Sequence, residues 1–473
     1  MVDPDKPGDS TPNRRTILKA VGASGVATLA GLAGCAGNGE QTPTDGGDGG
    51  DGGDGGDGGD GGDGGNGSDG GDGEDGEPTP TETETSDGTP SGTVSAEGNV
   101  VVGSPVPLSG ALAALGEDEQ RGINVAVDYI NEEMGGINGR TVEVVFEDTE
   151  TNPATGRERA RRLVEQEGAD VLVGCVSGAV TNSVADYAYD AGMPFWPYGG
   201  SESTTGSSCA PTTFRYVYSA SQDARAGAPW SVENLGTNVW IHYADYSYGQ
   251  SIRDEWRRQI ENHEMDTNIV NVTSTSLGTS DYSSYLSQIQ SSNADWVLMG
   301  VTGSDLIAMI QQANQFGLKQ QKDLVSQNLT IPIRGALGSA VVGVYGNIRY
   351  AHKSDSESNQ LFVDRFTSAH GQMPSEPAMV MWTSLLLHAR GANEAGSVAT
   401  ADVVPALEDI QSDTPMGQTT IRACDHQASR PYPMGRITEP DEYEFPSYEI
   451  LDTRPAEEVI EPCEETGCDM PSL

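Results

Sequence analysis

The sequence predicts an α/β fold: two Rossmann-like lobes, each with a central parallel sheet flanked by helices, with a ligand cleft and a multi-strand hinge between them. Three observations predict it. From Val100 onward, short β-branched runs alternate with single amphipathic segments, the pattern of a parallel sheet covered on both faces. That cycle breaks near residues 219–228 and then restarts, giving two units of similar size. A late helical run over 379–395 and a polar, β-rich stretch over 418–450 must then return to those units, which calls for several crossovers in place of one linker.

The first hundred residues are not domain-like. Arg14-Arg15 precede a weakly apolar run that ends in Leu32-Ala33-Gly34-Cys35, the pattern of a twin-arginine (Tat) export signal with a lipobox. On that reading residues 1–35 are an address, Cys35 is lipidated, and the body sits on the extracellular face of the cell membrane. The alternative is one transmembrane helix over 17–34, near the minimum length and poor in Leu and Ile. Residues 36–97 carry Asp-Gly-Gly repeats at Asp45, Asp48, Asp51, Asp54, Asp57, Asp60 and Asp63, then a Thr-, Glu- and Pro-rich stretch. With so little apolar surface to offset ordering, this segment reads as a flexible tether, spanning roughly 40–45 Å as a coil.

The body follows in order. A first strand from Val100 ends at Ser104-Pro105, and the loop through Leu108 lies at its carboxyl end, where small ligands sit in open α/β sheets. A helix beginning near Glu117 carries Ile123, Val127, Ile130 and Met134 at helical spacing and stops at Gly135-Gly136. Strands are expected at 142–146, 171–174 and 194–197, with a surface helix at 153–168. After the break, strands are expected at 238–243, 269–272 and 295–300, and helices at 248–263, 283–290 and 304–317. Residues 98–220 with about 352–412 would form lobe 1. Residues 221–351 with 413–455 would form lobe 2, and 456–473 a tail.

Composition narrows the function. Asp plus Glu number 71 against 26 Lys plus Arg, a net charge of -45, which speaks against a nucleic-acid partner. Lysine occurs only at Lys6, Lys19, Lys319, Lys322 and Lys353, so the composition resembles that of proteins from extreme halophiles, where salt screens self-repulsion. Of the cysteines at 35, 175, 209, 424, 463 and 468, five remain if Cys35 is lipidated, enough for two disulfides and one free thiol. Cys463 and Cys468 are the easiest local pair, though either could tie the tail to Cys424. No histidine clusters with these cysteines, so no metal site and no cofactor are expected. The body has no Gly-x-Ser-x-Gly elbow, His-Glu-x-x-His or Walker loop, so no catalysis is expected; Asp245 and Asp425-His426 read as strand-end and hinge residues. Asn66, Asn271 and Asn328 stand in sequons that could carry surface glycans.

Residues 103–110, 122–131, 135–140, 144–148, 171–177, Tyr243-Ala244-Asp245 with Tyr248-Gly249, Gly317-Leu318-Lys319 and Asp425-His426-Gln427 together resemble the type I periplasmic binding proteins of ABC importers. The likeness is to their branched-chain amino acid (Leu/Ile/Val) and amide/urea-binding branch, and it runs over residues 99–455. The resemblance implies a monomeric solute-binding lipoprotein that closes on a small polar ligand and delivers it to a permease driven by ATPase subunits. It places the ligand's carboxylate or amide in lobe 1 at Cys175, Val176 and Ser177, with Gly200 and Ser201 as a second contact. Ser177 at a helix N-terminus suits an anionic oxygen, though a plain N-cap role fits the same position. In lobe 2 the family's aromatic falls on Val301 or Thr302, and its acid within 326–328, here Gln327 and neutral neighbours. That departure argues against a plain amino acid and for an amide, urea-like solute or carboxylate, with Tyr246 or Tyr248 supplying the ring. The rival readings are a ligand-sensing ectodomain for a signalling partner and an extracellular amidase.

Overall fold

The computed structural model describes residues 98–473 apart from positions 111, 200 and 442. The export signal, Cys35, the tether and Gly200 therefore lie outside the described residues.

Lobe 1 opens with β1 (Val100–Val106), α1 (Ala113–Glu133), β2 (Val142–Asp148), α2 (Pro153–Glu165), β3 (Val171–Gly174), α3 (Gly178–Asp190) and β4 (Phe195–Pro197). The helix expected from Glu117 begins four residues earlier, its first turn lying over Pro107. All four strands pair in parallel in the order β2-β1-β3-β4, with Val102 opposite Val144 and Val171. This sheet is fully covered, because β3 and β4 are buried on both faces.

The chain then crosses to lobe 2. Residues 219–228, expected to be a break, instead start α4 (Ala220–Leu235). Ser219 accepts from the Gln222 backbone while the Gln222 side chain returns to the Ser219 amide, and this capping box overrides the Ser-rich approach. There follow β5 (Asn238–Ala244), α5 (Ser247–Glu261), β6 (Asn268–Thr275), α6 (Ser283–Ser291), β7 (Trp296–Gly300), α7 (Gly303–Gln315), β8 (Asp323–Val325), α8 (Ile331–Leu337) and β9 (Tyr345–Asn347). The order β6-β5-β7-β8 repeats that of lobe 1. In both sheets the winding reverses beside the first strand, between β1 and β3 and between β5 and β7. Ligands bind at such switch points.

The return to lobe 1 brings α9 (Glu357–His370), α10 (Glu376–Ala395) and α11 (Thr400–Leu407). α10 is buried over most of its length and lies so close to α1 that a β carbon at Gly122 would sit 2.2 Å from the Ala378 carbonyl oxygen. A small antiparallel sheet follows, β10 (Gln411–Thr414), β11 (Gly417–Ile421) and β12 (Ala428–Ser429). Ile421 and Ala428 pack in the cluster of Val102, Trp196 and Phe214, so the chain leaves lobe 1 near residue 430, later than the expected 413. Finally β13 (Tyr432–Pro440) and β14 (Pro446–Arg454) extend the second sheet antiparallel from β9, and α12 (Ala456–Val459) begins the tail.

The tail disulfides differ from the local pair expected. Cys468 joins Cys209 and Cys463 joins Cys424, which among the described cysteines leaves Cys175 as a buried free thiol. Tertiary placement decides this: Cys468 packs against the lobe 1 loops, its amide held by Thr466, while Cys463 reaches the β11–β12 turn. Both bonds strap a tail that follows lobe 2 onto lobe 1. Glu461 adds to the strap: its carboxylate pairs with Arg258 of α5 at 2.5 Å and its carbonyl accepts from Arg422 at 2.6 Å.

Candidate functional site

Lobe 1 presents the ends of β1 and β3. Ser104 is fully buried in β1 and its hydroxyl has no partner. Leu108 is half-buried and its amide donates to Asp148 at 2.9 Å, which holds the loop against β2. Cys175 takes φ +73°, a left-handed conformation rare for a side chain of its size, and its thiol donates to the Pro105 carbonyl. Burial pushes that thiol well up, so it stays protonated. The turn lifts Val176, half-buried against the lobe 1 core, and sets Ser177 as the N-cap of α3. Ser177 is buried, yet its hydroxyl caps no helix amide. The bare first-turn amides of α3 thus face the switch point.

Ser201 is buried as well, but its hydroxyl is engaged, at 2.9 Å from the Thr204 hydroxyl and donating to Asn182 at 3.2 Å. Its carbonyl accepts from Arg215. From lobe 2, Tyr246 is the N-cap residue of α5 and Tyr248 lies in its first turn, the two rings 6.1 Å apart. Asn328 donates to the Tyr248 hydroxyl at 2.6 Å; so buried and engaged, it leaves no place for the glycan considered above. Thr302 is the buried N-cap of α7. Gln327 is 1% exposed, and neither its amide oxygen nor its nitrogen has a partner.

The lobes meet at this edge. A β carbon on Gly178 would lie 3.0 Å from the Ser247 hydroxyl of α5 and 3.1 Å from the Ser201 β carbon. The Glu202 amide donates to the Ser251 hydroxyl at 3.1 Å. The structure thus brings the Ser177 turn and the Ser201 loop to the helix that bears Tyr246 and Tyr248.

Several site residues were not foreseen. Glu119 in α1 is 0% exposed with both carboxylate oxygens unpartnered. Burial, then the Asp118 charge, hold its carboxyl well above the usual range, and its field reaches Cys175 and Tyr198. At the hinge, Arg349 donates to Asp223 at 2.8 Å and to Glu376 at 2.7 Å. Tyr198 donates to Glu376 at 2.6 Å, and Tyr432 donates to Asp223. Burial opposes charge on Asp223, Tyr198, Tyr432 and Arg349, but two carboxylates facing one guanidinium keep Arg349 ionised. This network joins β4, α4, the end of β9, α10 and β13, so all three crossovers converge on it. Sequence could have flagged Arg349 only as one basic residue in an apolar stretch.

The tempting acid-base pair is structural. Asp425 is salt-bridged to Arg422, and the fully buried His426 ring stacks on Phe214 at 4.1 Å between centroids.

The sequence model of a family described as periplasmic binding protein matches residues 99–442. Leu/Ile/Val-binding protein homolog 4 of Brucella abortus is 26% identical over 344 residues, covering 68% of this chain and 80% of that protein. A solved leucine-, isoleucine-, valine-, threonine- and alanine-binding protein from Brucella ovis, in a closed conformation, superposes with a TM-score of 0.71 at 22% identity, covering 80% of this chain and all of that one (100%). A solute binding protein of an ABC transporter from R. palustris, in complex with benzoate, gives a TM-score of 0.71 at 24% identity, covering 79% and 100%.

Proposed function

We propose, from the premise that the chain belongs to the periplasmic binding protein family, that it captures a small polar solute by closing its lobes and delivers that solute to the permease of an ABC importer. One observation carries the reading. Ser104 and Glu119 from lobe 1, and Ser247 and Gln327 from lobe 2, bury polar side-chain atoms that no group among the described residues satisfies. An unsatisfied buried polar group costs about 1–3 kcal/mol, so a solute that supplies the missing partners is bound by atoms already desolvated. The hinge network lets three crossovers flex together around one fixed charge cluster.

The solute class we favour is amide, urea-like or amino acid-like. Gln327 offers both a donor and an acceptor, as an amide or urea requires. Glu119 offers the acid that the 326–328 segment lacks. The protein from Brucella ovis is named for aliphatic amino acids, a neighbouring chemistry. Export by the twin-arginine route and anchoring through Cys35 complete the proposal. Two disulfides fit an oxidising compartment.

The test is a thermal-shift panel on the full chain in molar salt, with leucine, valine, urea and short amides. A solute at a hundred times its dissociation constant adds about 2.7 kcal/mol of stability. No shift with any small polar solute would overturn the reading.

A further inference from the structure

We propose that the solute carries a carboxylate and that Arg334, from lobe 2, is the group that holds it. This rests on the solute-binding reading above and, of the solute classes named there, selects the one that carries an acid. The resemblance places such an oxygen in lobe 1, at the α3 N-terminus; the structure puts an uncommitted cation on the other lobe.

The site is a narrow, partly open space at the hinge end of the cleft, with a cavity volume of about 20 Å³ in this conformation. It is lined from lobe 2 by Gln327, Thr330, Arg334 and Asn347, from the hinge by Arg349, and from lobe 1 by Glu376. Of these, Gln327, Thr330 and Arg334 each carry at least one buried polar atom without a partner among the described residues, whereas the Asn347 Oδ1 lies against Gly227 of α4. The first, third and fourth are 1%, 3% and 1% exposed.

Arg334 stands apart from the other buried arginine of the lining. Arg349 is neutralised by Asp223 and Glu376, and that pairing also removes Glu376 as a repelling charge. Arg334 instead spends one nitrogen on the Pro446 carbonyl at 2.7 Å and lies 5.4 and 5.6 Å from the ring centroids of Phe445 and Tyr448. Its Nε donates to nothing. The nearest acid in its field, Asp441, is tied to Lys353 at 2.5 Å. His352 also faces it, buried with both ring nitrogens unpartnered, and adds no negative charge. A buried guanidinium without an acid is costly unless a counter-charge enters, and its fork is shaped for a carboxylate. Gln327 and Thr330 stand ready as donors to the same oxygens, while Leu329, Ile348 and Ile437 line the apolar remainder.

Isothermal titration of the full chain in molar salt tests this with two acid and amide pairs, benzoate with benzamide and isobutyrate with isobutyramide, plus leucine and urea. At least one acid is expected to bind more than about tenfold tighter than its amide, the increment of one charge-assisted contact. Arg334→Met should weaken that acid about tenfold to a hundredfold and leave the amide within about threefold. Arg334→Lys should recover part of the loss, which a folding defect would not. The wild-type acid and amide comparison stands even if a variant misfolds. An amide bound as tightly as its acid, or an Arg334→Met protein that keeps its acid affinity, overturns the assignment. If leucine or urea binds and neither acid does, the Arg334 assignment fails and the solute-binding reading survives; if nothing binds, both fail.

Discussion

Glu119→Gln isolates the most conspicuous orphan of the cleft. Glu119 sits fully buried on α1 with no partner for either oxygen, and burial, then Asp118, raise its folded-state pKa well above the ordinary value. In the unfolded chain it titrates near about 4.3. A group whose folded pKa is raised contributes stability that is fully present below the unfolded pKa and is lost as pH rises through the folded one. Across that window each pH unit removes about 1.4 kcal/mol from the wild type. Glutamine has nearly the same shape and does not titrate. Asp118, pushed up to about 6 chiefly by its burial, is present in both proteins and has ionised above that pH. Urea unfolding of solute-free protein in molar salt, at pH 6, 7 and 8, should therefore show the variant gaining on the wild type by about 1.4 kcal/mol per unit until Glu119 ionises. The slope matters, since the amide itself shifts the curve by a constant. Parallel pH profiles would refute a buried, unpartnered carboxyl at this position.

The closed edge of the cleft should be sensitive to bulk: Gly178→Val pushes methyl groups into Ser247 and Ser201, already 3.0 and 3.1 Å from a β carbon there. Solute affinity should fall more than about tenfold, because overpacking costs about 1–3 kcal/mol and the contact with Ser247 is made only across the closed cleft, while the crowding against Ser201 within lobe 1 lowers the melting temperature of the solute-free protein as well. The tail strap is checked by peptide mapping without reduction, which should yield Cys209–Cys468 and Cys424–Cys463 and no Cys463–Cys468 species. Cys463→Ser should lower unfolding free energy by about 4 kcal/mol on chain-entropy grounds for a loop of 39 residues.

How much was legible in the sequence follows from the range of the forces involved. Strand and helix positions were readable because period and punctuation are local: β3 falls where Val171-Leu172-Val173-Gly174 placed it, and α2 starts at Pro153 behind the Asn152 cap. Ser177 at a helix start was readable for the same reason. The α4 start was misread because Ser219 and Ser221 look like loop residues until Gln222 completes the capping box. Pairing of Cys463 and Cys468 depends on which loops the tail meets, with partners 39 and 259 residues away in the chain, and no local pattern encodes that. Glu119 and Arg334 were hidden for a further reason. Glu119 looks like an ordinary surface charge on an amphipathic helix and Arg334 like a lone base in a short apolar stretch where no helix is expected, and only tertiary packing shows that both are buried.

Those two charges also explain why the cleft departs from the pattern it resembles. A neutral Gln327 leaves the 326–328 segment without an acid, and on the proposal above Arg334 gives the hinge pocket a positive charge that no acid of the lining pairs. On lobe 1, Glu119 would supply the acid instead, within reach of the Cys175 turn in the first sheet's switch point. On that proposal the polarity of the cleft is reversed relative to the arrangement the resemblance implies. A solute with an acidic end would approach the hinge at Arg334 and leave its donor end toward α1. Closure would then bring Glu119 under the influence of that donor and lower its pKa. Binding of a donor-bearing acid should accordingly release a proton near neutral pH, whereas benzoate, which has no donor, should release none. Calorimetry in two buffers of different ionisation enthalpy measures that difference directly; equal proton release for both solutes would show that Glu119 does not face the occupant.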